Sequence, residues 1–299
     1  MNNGVVSRRR VILSYIEVLK PRESGLHFLM GTIAALIVAG RLVAAGGVFP
    51  FREFVLAAIA IAAGVTGCNG LTNYLDRGVD ARMRRTCLRA LPSKRIYPPE
   101  KSLPLIIILI AIGLSLAWVI NPWCFAFGTV GVIVAALWRK TSLEVLLGVV
   151  ASCAPVLIGW FAINPAFDLQ NLSQILAICL LIAIWIPLHV WSVMVAYRDD
   201  FRQAGLNYFP LGWEVRKSVK LLFGLSVLLY LCSVLIYFVG EWHLAYLVVA
   251  NILGILMLSA CVRLLILKSS KSAWQVYKLT AFPYLGVIFI TMCLAIWLL

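Results

Sequence analysis

The residues best suited to chemistry lie within the first third of the chain. Asp76 and Asp80 are four positions apart at the end of a long apolar segment, where carboxylates are costly to keep. On a helix this spacing puts both carboxylates on one face, with Thr72 or Asn73 one turn before them and Asn69 two turns before. A run rich in arginine follows at once. Hard oxygen ligands beside many cations predict a site for a complex of Mg²⁺ with a diphosphate.

The elements that must position these residues are membrane-spanning helices. The chain has 299 residues, of which 63% are hydrophobic and 13% charged, and its mean hydropathy is +0.97. A soluble domain could not bury that much apolar surface, and the long continuous runs predict helices rather than barrel strands. We expect an all-α integral membrane protein with a single transmembrane domain over residues 1–299, including a basic tail at 1–14. About nine spans are predicted, at 27–46, 54–75, 103–120, 122–138, 143–163, 173–197, 218–239, 243–267 and 279–299.

The distribution of charge predicts how the chain lies in its membrane. A net charge of +14 would suit binding to nucleic acid. However, of the 26 Lys and Arg, all but Arg41 and Arg52 fall in the N-terminal tail or in the loops and helix ends that nine spans place on the same side of the membrane. This asymmetry predicts the lipid bilayer as partner, no nucleic acid, and a cytoplasmic N-terminus with the aspartate-bearing loops on the same side. The loop 77–101 carries more charge than topology needs, which favours anion binding there. The absence of a Ser- and Arg-rich transit segment favours a prokaryotic plasma membrane.

A second acidic cluster follows the sixth predicted span, where Asp199 and Asp200 lie between Arg198 and Arg202. With nine spans, the second and sixth both end on the cytoplasmic side, so the two clusters are expected to face each other across one cavity mouth. The simpler interpretation is that these aspartates pair with the flanking arginines at a helix end. Two clusters on the same side, each flanked by arginine, favour a shared site.

Four such carboxylates predict one or two Mg²⁺ ions that clamp a diphosphate and make it a better leaving group. Arginine fits the phosphate oxygens in a bidentate manner. A lipid chain on that diphosphate would run between the helices into the apolar core. Ionisation of an allylic diphosphate would leave a carbocation that an electron-rich acceptor could capture. The candidate cations are Arg77, Arg85, Arg89, Lys94, Arg95, Arg139, Lys140 and Arg198.

Other chemistry-bearing residues predict little else. The eight cysteines are scattered and form no redox or metal-ligand spacing, and no phosphate-binding glycine loop, zinc-protease or serine-hydrolase motif is present. His189 lies inside the sixth predicted span, where a histidine is functional by default. The alternative for His189 is a hydrogen bond to a neighbouring helix. His27 and His243 lie near span ends and are expected to be interfacial.

These residues resemble the UbiA superfamily of intramembrane prenyltransferases, and within it the protoheme IX farnesyltransferases, also called heme O synthases. The resemblance runs from about position 15 to the last span. An Asp-Arg-x-x-Asp-x-x-Met-x-Arg-Thr pattern, and a His-x-Trp ahead of Asp-Asp-Phe, favour the heme branch over the branches that act on quinone precursors. The matching segments are 19–22, 73–86 with Arg89 and 91–93, 138–141, 154–160, 187–191, 198–201 and 204–206.

The resemblance implies a fold of nine transmembrane helices around a central cavity, with the motif loops as a cytoplasmic cap. It implies transfer of farnesyl from farnesyl diphosphate to a vinyl group of heme b, a substrate rather than a resident cofactor, with water supplying the product's hydroxyl. A heme A synthase or the assembly machinery of a terminal oxidase would act downstream. Asp76, Asp80, Asp199 and Asp200 would bind Mg²⁺ and diphosphate, and His189 would lie near the acceptor. The implied substrate-binding residues are Asn69, Asn73, Arg22, Arg77, Arg85, Arg89, Lys140 and Arg198.

The sequence also departs from that family pattern. Thr72 stands where the superfamily usually has an asparagine, and Asn73 or Asn69 is the candidate replacement. Ala90 occupies a position where the family has a proline, and Lys94 occupies one where it usually has a glycine. These departures keep two alternatives open. One is a different acceptor, such as an aromatic quinone precursor or a lipid alcohol; the other is a transporter or lipid-binding protein that uses the cavity without chemistry.

Overall fold

Every regular element among the residues that the computed structural model describes is a helix. Those residues are 8–137, 141, 143–240 and 242–298. A 3₁₀ turn, Pro99–Ser102, leads into α4, and a π-helical segment, Thr280–Gly286, joins α11 to α12. The α-helices are α1 (Arg8–Val18), α2 (Pro21–Ala44), α3 (Phe51–Asp80), α4 (Leu103–Ile120), α5 (Pro122–Leu137), α6 (Glu144–Ile163), α7 (Leu169–Ala196), α8 (Arg198–Gln203), α9 (Val215–Gly240), α10 (Leu244–Leu267), α11 (Ser270–Leu279) and α12 (Val287–Trp297).

The predicted all-α membrane architecture is confirmed. Within the described ranges, eight helical stretches are long and apolar enough to cross a membrane, with α11 and α12 counted as one. The fourth predicted span, 122–138, corresponds to the shorter helix α5, whose 16 residues measure about 24 Å. Within the predicted basic tail, α1 begins at Arg8.

The second predicted span was too short. Hydropathy ends it at residue 75, whereas α3 continues to Asp80. The polar turns continue as helix because neighbouring elements satisfy their side chains. Asn73 Nδ2 donates to the Val18 carbonyl at the end of α1 (2.7 Å), and Lys20 Nζ donates to Thr72 Oγ1 (3.1 Å). Both motif aspartates are therefore presented by one continuous helix.

Small residues let the spanning helices approach closely. A Cβ added to Gly159 of α6 would lie 1.9 Å from the Gly31 carbonyl oxygen of α2, and one added to Gly113 of α4 would lie 2.8 Å from the Gly64 Cα of α3. Such contacts drive helix association in lipid, where hydrophobic burial provides little force between helices. They fix α2, α3, α4 and α6 relative to one another.

The last predicted span also differs from its prediction. It begins at Ser270 rather than 279, and its regular path is interrupted by the π-helical segment. Ala281 has a non-helical ψ of −140°, and Pro283 carries no backbone N–H to continue the ladder. At the start of the interruption, the Thr280 carbonyl accepts a hydrogen bond from the Trp185 indole of α7.

Candidate active site

The first acidic motif occupies the last two turns of α3. Asp80 is 1% exposed, and its Oδ2 accepts a hydrogen bond from Arg89 Nη1 at 3.0 Å. The Thr86 hydroxyl donates to the Asp80 carbonyl oxygen at 2.9 Å, which folds the following loop back over the helix end. Asp76, one turn earlier, is half-buried. The i, i+4 spacing thus places a buried, charge-paired carboxylate beside a more accessible one.

The second motif lies directly against the loop that follows the first. Asp200 Oδ1 accepts from the Arg84 backbone N–H at 2.6 Å, and Oδ2 accepts from that of Arg85 at 3.1 Å. Asp199 is exposed beside it. A cavity of about 460 Å³ opens between this pair and Tyr197 of the α7–α8 junction. The two motifs therefore share one end of the bundle.

The arginines that flank the second motif bind backbone carbonyls. Arg198 Nη2 donates to the Leu211 oxygen at 2.9 Å and also to Trp213, and Arg202 Nη2 donates to the Leu211 oxygen at 2.8 Å. Burial lowers the pKa of Arg198, with Arg202 as the next cause. Within the described ranges neither arginine forms an ion pair with Asp199 or Asp200. The simpler interpretation of that cluster, local pairing, is not what the structure shows.

Three cations face the acidic end. Arg89 pairs with Asp80. The Arg85 guanidinium lies over the rings of Tyr197 (5.5 Å) and Phe201 (5.9 Å), and burial, followed by repulsion from Arg89, lowers its pKa. Lys20, just before α2, was missed as a site residue. Burial and then Arg89 lower its pKa to about 8, with Glu23, Asp80 and Asp76 opposing the shift. The only sequence signal for Lys20 was its place within the segment 19–22.

Other predicted cations lie elsewhere. Arg77 folds back on its own helix, with its guanidinium 4.1 Å from the Tyr74 ring centroid and Nη1 donating to the Tyr74 carbonyl. Arg22 is exposed on the first turn of α2. Arg95 pairs with Glu17, away from the acidic motifs. Arg139 and Lys140 lie outside the described residues.

The geometry distinguishes the three residues that could supply the oxygen ligand of the family asparagine at the first motif. Asn73 is turned toward Val18, and the Thr72 hydroxyl donates to the Asn69 carbonyl while accepting from Lys20. Asn69 donates through Nδ2 to Ser24 Oγ at 2.9 Å. Its side chain lines the apolar cleft described next. Asn69 is therefore the amide best placed to turn an oxygen toward a ligand.

A narrow cleft of about 70 Å³ runs between α3, α4, α5 and α6, and we call it the α3–α6 cleft. Its polar end contains His27, Asn69 and Thr72, and its walls include Gly64 and Gly128. A Cβ at Gly64 would meet nothing within 4 Å, so this glycine leaves the cleft open. His27 lies in the second turn of α2, and its Nε2 is 3.1 Å from Ser152 Oγ of α6. The apolar lining suits a hydrocarbon chain, and Thr72 lies one turn before Asp76 on the same helix.

In α7, His189 is fixed between aromatic rings. Its ring stacks on Trp185 at 4.9 Å and on Tyr277 at 4.6 Å, and its Nδ1 lies 3.0 Å from Thr280 Oγ1. The alternative expectation, a hydrogen bond to a neighbouring helix, is therefore met. Tyr277 and Thr280 were not predicted, because they are about ninety positions from His189 in the sequence.

The oxygen ligands fit a Mg²⁺ ion that is bound together with its substrate. In the described part of the chain, no three His, Cys, Asp or Glu side chains cluster closely enough to enclose a metal on their own. Mg²⁺ in phosphate-handling sites typically takes one or two carboxylates and completes its shell with phosphate oxygens and water. Asp76 and Asp80 supply such a pair, and Asp199 is exposed at the neighbouring motif.

Solved structures with the same architecture are known. A structure of a digeranylgeranylglyceryl phosphate synthase matches with a TM-score of 0.75 at 18% identity, over 97% of this chain and 99% of that one. A UbiA homologue from Archaeoglobus fulgidus, bound to GPP and Mg²⁺, matches with a TM-score of 0.65 at 16% identity, over 96% and 100%. The fold and site define a helical membrane protein with acidic motifs at one end of the bundle and an apolar cleft that reaches Thr72, one turn before Asp76 on the same helix.

Sequence comparison identifies the family. The profile of the UbiA prenyltransferase family matches residues 33–295. A protein from Desulforudis audaxviator named protoheme IX farnesyltransferase is 34% identical over 293 residues, covering 95% of this chain and 89% of the relative. The chain belongs to the UbiA prenyltransferase family, and it is a multi-pass integral membrane prenyltransferase.

Proposed function

We propose that the protein transfers the farnesyl group of farnesyl diphosphate to a vinyl group of heme b in a Mg²⁺-dependent reaction. The acceptor assignment is supported by the full-length relatives, which are named protoheme IX farnesyltransferase at about 30% identity. The observation that carries the reaction type is the meeting of both acidic motifs through the Asp200 contacts, beside the polar end of the α3–α6 cleft.

The donor would bind with its diphosphate at the acidic end and its chain in the α3–α6 cleft. Asp76, Asp80 and Asp199 would hold Mg²⁺, and Asp200 would do so with the lone pairs left over from its two backbone hydrogen bonds. The ion neutralises phosphate charge and improves the leaving group. Lys20, Arg85 and Arg89 would bind the non-bridging oxygens, with the arginines giving charge-assisted pairs.

The reaction breaks the bond between farnesyl C1 and the diphosphate oxygen, and the diphosphate leaves with the electron pair. The vinyl group of heme b forms the new carbon–carbon bond, and water adds the hydroxyl group and releases a proton. Arg85 would stabilise charge on the departing diphosphate. The aromatic faces of Tyr197 and Tyr277 lie close enough to Arg85 and His189 to screen the developing carbocation from water.

We also propose that the acidic end faces the cytoplasm, in a prokaryotic plasma membrane. The proposal is supported by the concentration of Lys and Arg in the loops and helix ends of that side, with Arg41 and Arg52 as exceptions. A heme A synthase or the assembly machinery of a terminal oxidase would then receive the product from the membrane.

The test is incubation of the purified protein with Mg²⁺, farnesyl diphosphate and heme b, followed by mass spectrometry. We expect a product heavier than heme b by a farnesyl group plus a hydroxyl group. Asp76→Ala should abolish turnover, whereas Asp168→Asn should not, because Asp168 caps α7 at the opposite end through Asn171 and asparagine caps equally well. Diphosphate release only with a phenolic or lipid acceptor would exclude heme. Normal turnover by Asp76→Ala would exclude the metal role.

A further inference from the structure

The imidazole of His27 in α2 lies between two hydrogen-bond partners that fix its tautomer. Its Nδ1 is 2.8 Å from the Glu23 backbone carbonyl, which can only accept, so Nδ1 carries the ring proton. Nε2 therefore carries the lone pair, and it accepts from the Ser152 hydroxyl of α6 at 3.1 Å. Within the described ranges, that hydroxyl has no other acceptor. The pairing thus presents the neutral imidazole as a base.

His27 is the only base among the described residues that line the α3–α6 cleft. The other polar residues there are Asn69 and Thr72, which do not titrate, and Cys68, whose thiol keeps its proton at physiological pH. None of the described lining residues is a carboxylate. A proton released inside the cleft therefore finds its acceptor in His27.

The position of His27 along α2 places it deeper than the acidic end. Lys20, which donates to Thr72, lies just before α2, and His27 follows seven residues later, about 10 Å along the chain axis. α2 packs against both α6 and the π-helical segment. That segment carries Thr280, the contact of His189, and the two imidazoles are close enough for their charges to interact. His27 thus faces the donor cleft and lies near the residue expected at the acceptor.

The proposed reaction needs a base after the carbon–carbon bond has formed. Farnesylation of the vinyl group leaves a cation on the vinyl carbon that is attached to the macrocycle. When the oxygen of a water molecule bonds to that carbon, one O–H bond must break and leave its electron pair on oxygen. A cation that is not captured in this way loses a proton from the neighbouring carbon to the departing diphosphate. The product is then an alkene, lighter than the alcohol by one molecule of water.

We propose that His27 is the catalytic base that takes the proton of this water at Nε2, and that Ser152 is its positioning residue. This inference rests on the proposed function, which supplies the cation. As Nε2 takes the proton, the Ser152 hydroxyl turns to accept from the new N–H, while the Glu23 carbonyl still accepts from Nδ1. The imidazolium returns its proton to solvent after the product leaves.

The test measures the ratio of alkene to alcohol that the purified protein forms from farnesyl diphosphate and heme b with Mg²⁺, using mass spectrometry. His27→Gln keeps a polar side chain but removes the base. We expect this ratio to rise about 100-fold, the low end of the effect of a general base, while the consumption of farnesyl diphosphate changes little. The ratio counts only molecules that have reacted, so partial misfolding does not alter it. His243→Asn is the control, because His243 caps α10 at the opposite end and asparagine preserves the cap.

A second variant tests the positioning residue. Ser152→Ala removes the oxygen that accepts from protonated Nε2, which is a hydrogen bond to a charged group. We expect the ratio of alkene to alcohol to rise about 10-fold, with an unchanged KM for farnesyl diphosphate. A role in packing alone would raise that KM and leave the ratio as in the wild type.

The outcomes separate this inference from the proposed function. A wild-type ratio in His27→Gln would overturn the inference and assign the proton to the diphosphate, and the proposed function would stand. Equal rises in His27→Gln and His243→Asn would also overturn it, because loss of a histidine far from the cleft would have the same effect. If the wild-type protein forms neither alcohol nor alkene from heme b, the proposed function fails, and this inference fails with it.

Discussion

Lys20 gives the acidic end a charge that depends on pH. Its pKa is lowered to about 8, mainly by burial. Below that pH the ammonium is charged and can bind a diphosphate. As the pH rises through 8, the free protein loses this charge, so binding must also take up a proton. We therefore expect the affinity for a non-hydrolysable analogue of farnesyl diphosphate to fall above pH 8, by up to ~10-fold per pH unit.

Two substitutions isolate the contribution of Lys20 to this pH dependence. Lys20→Arg stays charged throughout the range, so its affinity should be nearly independent of pH. Lys20→Met should bind about 10- to 100-fold more weakly at pH 7, the range expected for a lost hydrogen bond to a charged group. Isothermal titration calorimetry measures the affinity of the wild type, Lys20→Arg and Lys20→Met. The measurements cover about pH 6.5 to 9.5, about 1.5 units either side of the pKa. A steep decline that persists in Lys20→Arg would assign the titration to another group.

At the residue scale, the sequence predicts local relationships well. The helical face shared by Asp76 and Asp80 follows from their spacing alone. The partner of Thr72 does not, because Lys20 is 52 positions away and approaches only after α2 and α3 pack. Thr72 looked like a weak replacement for an asparagine ligand, whereas in the structure its hydroxyl meets a lysine. The same limitation applies to His189 and Thr280, which are 91 positions apart.

At the level of elements, hydropathy predicts helices but misplaces their polar ends. Hydropathy ends the second span at 75, because it carries no information on the hydrogen bonds that let α3 continue to Asp80. It also started the last span at 279, because amphipathic α11 has a polar face and the π-helical segment depends on tertiary contacts with Trp185. The α3–α6 cleft was likewise invisible, since it arises where glycines of several helices meet.

The α3–α6 cleft provides a test of where the prenyl chain of the donor lies, because a blocked cleft should discriminate between donors of different length. Gly64 lies eight residues before Thr72 on α3, about 12 Å along the helix, and no atom lies within 4 Å of a Cβ built there. Gly64→Leu should project into the cleft and exclude the far end of a farnesyl chain. We expect kcat/KM for farnesyl diphosphate to fall at least about 10-fold, while the shorter geranyl diphosphate is affected less.

The matched control for this variant is Gly224→Leu. Gly224 also has open space at its Cβ, but it is exposed on the outer face of α9. This substitution adds the same side chain without entering the cleft, so both donors should react as in the wild type. An equal loss for the two donors in Gly64→Leu would mean that the chain lies elsewhere and that the variant only disturbs packing.

At the scale of the whole molecule, the distribution of charge and the direction of the helices place the predicted phosphate-binding cations at one end of the bundle. Every predicted phosphate-binding cation comes from the basic side of the chain, whereas the opposite end carries Arg41 and Arg52. A donor made in the cytoplasm could thus approach its site from water while its chain remains in lipid. The pattern of Lys and Arg alone predicts this orientation, because orientation depends on sums of charge rather than on individual partners.

The native cysteines allow this orientation to be tested. Among all eight, Cys87 alone lies outside the helices, in the loop after α3 that contacts Asp200. Val48, 86% exposed between α2 and α3, marks the opposite end. A membrane-impermeant maleimide should label wild-type protein in inverted vesicles but not in right-side-out vesicles, and Cys87→Ser should remove the signal. Cys87→Ser combined with Val48→Cys should show the reverse. Labelling of Cys87 in right-side-out vesicles would place the acidic end outside and refute the cytoplasmic assignment.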